Sequence, residues 1–491
     1  METLNNRRSL GKSNYQLILV MSLILSFIIC CFVSYIMKDY KLDDALIYYR
    51  YISNALEGKG LVYNEGERFN ALTSPLYTYI SLIMAYILGD IQISQIIICA
   101  IFLYLTGIMA VILFRGTISD FILGMTPVLI SSSIYFYSTF GLETTLFLFL
   151  ILLGIWLYKK EKYFLLGIVS SLLLLTRGES IFLVGTFIGM HFVQKRKIPS
   201  LKIFILPVLI LFANFLFNFY YYNSFFPNTL LAKIYQGKSD LFGKWPIFFS
   251  SLDGFIQWFF DGDNLLIFFL IVFGCVGLIL NYRNKIIATY IAFLIFYTLF
   301  YVILNIPNYH WYYAPYFLII YILFSFGLDS IHKYGIGLDK NLKSKGILKY
   351  AYTALFSIGI FLILFYILIQ QVSYAYKWRG AIGNKNYTNI GIWLRDNTDE
   401  KAKIACVEIG HIGWYSQRYI IDIFGLVNPN NARFIAEKRY GEWFRYYQPD
   451  YILVHNPLWI QEVGFKGLIE GGVYVPCDKF YFKGYTLLRK K

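Results

Sequence analysis

Two adjacent carboxylates, Asp43 and Asp44, stand just past the first long apolar run. Behind them Leu46, Ile47, Arg50, Tyr51 and Leu56 recur on successive helical turns. Gly58 and Gly60 break that pattern, and a polar loop continues to Thr73, Ser74 and Pro75. A carboxylate held at a membrane surface and partly desolvated can serve as a general base, because desolvation raises its pKa towards the working range. The same pair can simply open a helix, with Asp43 as N-cap and Asp44 complementing the dipole. On residue types alone the two readings stand level.

Other groups able to do chemistry are scattered along the chain. Glu143 lies in YSTFGLETT, Arg177 and Glu179 in LLTRGES, Lys233 ends YYNSFFPNTLLAK, and His310 and Tyr312 lie in NIPNYHWYYAPY. An acid isolated between apolar runs, as Glu143 is, is costly and therefore marks function. Arg177 either snorkels or pairs with Glu179, or it binds an anionic ligand. The aromatic run around Tyr312 reads first as an interfacial belt, and His310 as an interfacial histidine rather than a base. Asp43, Asp44 and Glu143 are the residues that would hold a divalent cation, a cofactor that spacing does not establish.

The elements positioning these residues belong to a polytopic membrane protein. Of 491 residues 58% are hydrophobic, 20% aromatic and only 15% charged, which excludes an ordinary soluble enzyme. The net charge of +15 sits in short Lys/Arg clusters between apolar runs, the pattern of cytoplasmic loops and lipid headgroups rather than of nucleic-acid binding. Arg7, Arg8 and Lys12 precede the first run, and no small-residue cleavage site follows Cys30 and Cys31, so a retained span is expected. Spans are expected at Leu17–Met37, Ile93–Phe114, Phe121–Tyr135, Thr144–Tyr158, Tyr163–Thr176, Ile181–Val193, Ile203–Tyr221, Leu265–Leu280, Ile286–Leu304, Tyr312–Leu328 and Ile347–Ile369. Tyr77–Leu88 is read as a juxtamembrane or re-entrant helix, since counting it as a span would put the clusters at Lys159–Lys162 and Lys195–Lys197 outside. With that topology Asp43, Glu143, Arg177, Lys233 and His310 share the outer face, and so does the C-terminus.

After about Tyr374 the apolar runs shorten. Helix is expected at Tyr387–Arg395 and Asn430–Tyr447, and strand at Lys403–Ile409, Tyr419–Ile423, Tyr451–His455 and Tyr485–Leu488. The chain thus divides into a membrane domain, 1–374, with a first external loop at 38–76, and a small α/β domain, 375–491. The latter has no glycine-rich phosphate loop, zinc spacing or nucleophile elbow. Its Glu408 and His411 read as loop polar groups. Cys406 and Cys477 could join in a disulfide if this part lies outside the cytoplasm.

Taken in order, DDALIYYRYISNALEGKGLVYNEGE…TSPL, FGLETT, TRGES, YYNSFFPNTLLAK and GHIGWYSQRYIIDIFGLVNP resemble the GT-C superfamily of polyprenyl-phosphate-sugar-dependent glycosyltransferases. Within it they are most similar to the terminal arabinofuranosyltransferase-like proteins of the bacterial cell envelope. The resemblance implies a polytopic fold of about 11–13 transmembrane helices with an extracytoplasmic C-terminal α/β domain, set in the bacterial cytoplasmic membrane. It implies an inverting transfer of a sugar, a pentofuranose by the nearest group, from a polyprenyl-phosphate donor to an envelope glycan or glycolipid acceptor. It places the reaction-centre acid on Asp43, with Asp44 adjacent and Glu143 as second acid. Arg177 and Lys233 are the groups to stabilise the leaving phosphate, with Glu179, His310 and Tyr312 nearby, and Arg50 would orient the acids. Two other classes remain open: a flippase for lipid-linked sugars, and a non-catalytic protein that binds envelope glycan.

Overall fold

In lipid no backbone polar group can be left unpaired, so apolar runs of this length fold as helices. The computed structural model describes residues 2–114, 141–196, 204–250, 252–260, 263–341, 347–379 and 382–491. Its first part is helical: α1 (Glu2–Ile36), α2 (Asp43–Leu56), α3 (Pro75–Leu88), α4 (Ile91–Phe114), α5 (Thr144–Lys159), α6 (Tyr163–Thr176) and α7 (Ile181–Lys195). There follow α8 (Ile205–Tyr222), α9 (Thr229–Lys238), α10 (Leu252–Phe259), α11 (Asn264–Asn281), α12 (Lys285–Ile303), α13 (Ala314–Asn341) and α14 (Ile347–Trp378). Among the described residues seven helices are long and apolar enough to cross a membrane, beginning with Leu19–Ile36 and ending with Ala354–Trp378. The protein is a multi-pass membrane protein. The span expected at Phe121–Tyr135 lies outside the described residues. At 14 residues, α3 has a helical length of ~21 Å, short of a ~30 Å hydrocarbon core.

Small residues let helices close on one another where lipid supplies no hydrophobic drive. A Cβ on Gly277 of α11 would lie 1.9 Å from the Leu323 carbonyl oxygen of α13, and one on Gly327 of α13 equally close to the Phe273 carbonyl oxygen of α11. The two backbones are therefore in direct contact.

The C-terminal part holds α15 (Ile382–Asn397), α16 (Ile409–Ser416), α17 (Asn431–Ala436) and α18 (Phe444–Tyr447) around a five-stranded sheet. Its strands are β1 (Lys403–Cys406), β2 (Tyr419–Asp422), β3 (Tyr451–His455), β4 (Tyr474–Pro476) and β5 (Tyr485–Lys490), ordered β2-β1-β3-β5-β4. The β2, β1 and β3 strands are parallel, with Ile404 opposite Ile420 and Tyr451, while β5 runs antiparallel to β3 and β4. Alternation along the strands sorts the side chains. Ile404, Cys406, Ile420, Leu453 and Leu487 join the core of the membrane part, whereas Ala405, Ile421, Ile452, Val454 and Leu488 pack a second core with Trp443 and Phe465.

Three expectations change here. Strand β1 stops at Cys406 because Ile409 already begins α16. The helix expected over Asn430–Tyr447 breaks into α17 and α18, the chain adopting φ +56° at Lys438 and +88° at Gly441 between them. All six cysteines are free thiols, so Cys406 and Cys477 are not joined.

Candidate active site

The ends of several elements meet at one buried charge cluster. Glu143 stands just before α5, Arg177 just after α6, Tyr301 in the last turn of α12 and Tyr48 on α2. Arg177 donates from Nη1 to Glu143 Oε1 at 2.9 Å, from Nε to Glu179 Oε1 at 2.6 Å and from Nη2 to the Tyr301 hydroxyl at 3.1 Å. The Tyr48 hydroxyl donates to Glu143 Oε2 at 3.3 Å, and Tyr301 to Glu179 Oε1 at 2.5 Å. Removing one member would leave a buried charge uncompensated, which is why such a cluster is held tightly. A guanidinium carries five N–H groups, so two remain for a ligand.

Beside this cluster stand Asp44 and Lys233. Lys233 Nζ lies 3.7 Å from the centroid of the Tyr309 ring and 3.9 Å from Asp44 Oδ2, longer than a hydrogen bond. The Asp44 side chain keeps 31% of its surface accessible. Even so, burial raises its pKa above the ordinary 3.8, Lys233 pulling it down and Asp43 pushing it up. Burial likewise lowers the pKa of Lys233 below 10.5, with Asp44 opposing.

These side chains line two neighbouring spaces. A polar chamber of ≈ 50 Å³ is lined by Asp44, Tyr48, Glu143, Arg177, Lys233 and Tyr312 among others. An apolar cavity of ≈ 540 Å³, walled by Leu211, Phe215, Phe225, Phe226, Leu230 and Phe300, reaches the same Arg177, Lys233 and Tyr312. Glu179 lines the apolar cavity. The chamber and cavity share Thr73 and Thr229 as well, two hydroxyls on no expected list.

Three expected site residues lie elsewhere. The Asp43 carboxylate accepts N–H bonds from Gly410 at 2.8 Å and His411 at 2.7 Å, and its Oδ1 lies 3.1 Å from His411 Nδ1. It thus caps α16, whereas its own helix begins at an N-cap, Leu42, without a side-chain bond. Arg50 grips the other end of α16, donating to the carbonyls of Gly413 at 2.8 Å and Arg418 at 2.5 Å, and to that of Tyr63 at 2.7 Å. An acid at the start of α16 and a cation near its end match its dipole. The Asp43–Arg50 interval, two helical turns or ~10.5 Å, nearly equals the ~12 Å length of α16. His310 stands outside both spaces, edge-on to Trp258 and Trp311 with centroids 5.0 and 4.9 Å away. Among the described residues no group of three or more His, Cys, Asp or Glu is placed to hold a metal ion. Asp43, Asp44 and Glu143 do not form one, since Asp43 is taken by α16 and Glu143 by Arg177.

The architecture recurs in solved structures. ArnT from Cupriavidus metallidurans bound to undecaprenyl phosphate superposes with a TM-score of 0.60 over 96% of this chain and 97% of its own, at 10% identity. The same enzyme in the apo state gives 0.53 over 97% and 98%, at 11% identity. The apo oligosaccharyltransferase of Archaeoglobus fulgidus gives 0.55 over 89% of this chain and 69% of its own, at 12% identity. The chain shares the fold of these solved structures. Residues 374–490 match a domain of unknown function, DUF8728. No curated protein is significantly similar in sequence.

Proposed function

We propose that this GT-C-fold protein transfers a sugar from a polyprenyl-phosphate donor to a hydroxyl acceptor, at the extracytoplasmic face of a bacterial cytoplasmic membrane. The observation carrying this reading is the junction of an apolar cavity with a polar chamber at Arg177 and Lys233. Isoprenoid units would fill the first, the phosphate would sit at the two cations, and the sugar would enter the second. That a solved structure of the same fold is described as bound to undecaprenyl phosphate supports the donor class.

In the proposed reaction Asp44 accepts the acceptor hydroxyl's proton as that oxygen attacks the anomeric carbon from the face opposite the phosphate. The bond from the anomeric carbon to the phosphate oxygen breaks, and the departing polyprenyl phosphate gains charge. Lys233, desolvated on Tyr309 and without a short hydrogen bond among the described residues, is the group best suited to stabilise it, aided by the remaining Arg177 N–H groups. Three acids face two cations in the cluster, and protonating Asp44 removes one negative charge as the phosphate acquires another. Glu143 and Glu179 hold Arg177 in place. The resemblance favours a pentofuranose and an envelope glycan or glycolipid acceptor.

The test is transfer from lipid-linked sugar in vesicles. Asp44→Asn is expected to lower turnover by ~10²–10⁴-fold, the usual weight of a general base, while retaining undecaprenyl phosphate binding. Near-normal turnover would reject the assignment.

A further inference from the structure

The sequence stretch IIDIFGLVNPN, at the end of β2, has no part in the mechanism above, yet it reaches the chamber: Leu426 lines it together with Asp44, Glu143 and Lys233. The loop between β2 and α17 is organised around one buried carboxylate. Asp422 accepts N–H bonds from Phe424 at 2.8 Å, Leu426 at 2.5 Å and Val427 at 3.1 Å. Its own N–H donates to Asn428 Oδ1 at 2.6 Å, and its carbonyl accepts from Asn431 Nδ2 at 2.7 Å. Gly425 sits at φ +76°, and a Cβ there would lie 2.2 Å from the Ala432 nitrogen, so the turn admits only glycine. Immediately beyond the loop, α17 packs on α9, the helix that carries Thr229 and Lys233. Phe424 meets Phe242 with ring centroids 5.8 Å apart, and Lys438 pairs with Asp240 at 2.7 Å just past the end of α9.

We infer that Asp422 is a positioning residue: it fixes the loop that closes the chamber with Leu426 and braces the helix presenting Lys233, which makes the C-terminal domain part of the reaction centre. This rests on the function proposed above for what the chamber does, but not for whether it is roofed. A roof of this kind excludes water, which both strengthens the pull of Lys233 on a phosphate and keeps water from competing with the acceptor hydroxyl.

The experiment uses the full chain in detergent with Cys31, Cys275 and Cys477 replaced by serine, the other three cysteines being buried. Leu426→Cys is labelled with a water-soluble maleimide and compared with Tyr481→Cys, a position 87% exposed. The roof predicts at least tenfold slower labelling at 426 than at 481. Adding Asp422→Asn, whose amide turns a donor towards the loop's N–H groups, is expected to raise the rate at 426 by about tenfold. In the same variant undecaprenyl phosphate should bind about tenfold more weakly at temperatures well below the variant's own thermal midpoint, where the chain stays folded, a loss that global destabilisation would not produce. Lys466→Met, which removes only an exposed ion pair with Glu470, should alter neither reading. Equal labelling at 426 and 481 would overturn the inference. So would an Asp422→Asn protein with unchanged labelling and binding. If the parent protein binds no undecaprenyl phosphate, the proposed donor is wrong, and the labelling arm still decides the roof.

Discussion

Asp43 and Asp44 are chain neighbours with different partners. Asp43 is held by two backbone N–H groups and a histidine, which suits it to holding α16. Asp44 faces the chamber with a pKa already raised by burial. Asp43→Asn should therefore weaken docking of α16 by ~1.5–3 kcal/mol, the range for a charge-assisted bond, and appear as faster proteolysis between residues 375 and 491. Asp44→Asn should leave proteolysis unchanged and lower transfer by the ~10²–10⁴-fold of a lost general base. The two opposed shifts also set a pH profile. In the proposed reaction Asp44 works deprotonated, so activity is expected to fall as pH drops through a value above 3.8; Lys233 works protonated there, so activity should fall again as pH rises through a value below 10.5. A bell narrower than those ordinary limits is expected from initial rates in buffered vesicles, and Lys233→Arg should move the alkaline limb upward. Elsewhere His455 gives a stability signature. Burial alone would lower its pKa, but the Glu408 and Glu462 carboxylates against its two ring nitrogens outweigh that and raise it from 6.5 to about 9. A raised cation stabilises the fold fully below pH 6.5 and loses that contribution as pH rises through about 9. Thermal scans across that window should show a falling midpoint, and His455→Gln should flatten the slope.

At the scale of elements, α16 is the least expected and the most consequential. Eight residues containing two glycines are a poor helix by propensity. The glycines are there because of what lies against them. A Cβ at Gly410 would fall 1.8 Å from the Asp43 carbonyl oxygen, and one at Gly413 would fall 2.1 Å from the Tyr63 hydroxyl. Gly410→Ala is thus expected to separate α16 from α2, costing more than the ~1 kcal/mol that alanine normally returns to a helix. Disulfide trapping between introduced cysteines on α2 and α16 would measure the loss. The edge of the sheet is anchored in the same way, with Asn64 of the first loop exchanging hydrogen bonds with Ile420 on β2 at 2.9 and 3.0 Å.

Across the whole molecule the two parts share one apolar core. Because Ile404, Ile420 and Leu453 pack with the membrane part, a chain truncated after Tyr374 should expose that face and fail to accumulate as a monodisperse protein. A membrane domain that behaved normally by size-exclusion chromatography would contradict this. The sharing also accounts for the single site: Asp44 from the first loop, Arg177 and Lys233 from later segments and Leu426 from the C-terminal domain all line one chamber.

Local composition and periodicity determined the helices, the small α/β domain and the short list of charged groups, because an apolar run in lipid has one way to satisfy its backbone and a buried charge must have a purpose. The convergence of Glu143, Arg177 and Lys233 was likewise foreseeable, since the topology puts their stretches on one side, Glu143 and Arg177 at helix ends. Which of two adjacent aspartates faces the chamber was not, since a helix turns by about 100° per residue and only packing decides which direction points inward. Nor could the sequence reveal that Arg50 grips the far helix, or that Leu426 lines the chamber: Arg50 and Gly413 stand 363 residues apart, and that contact exists only once the C-terminal domain has folded onto the first loop.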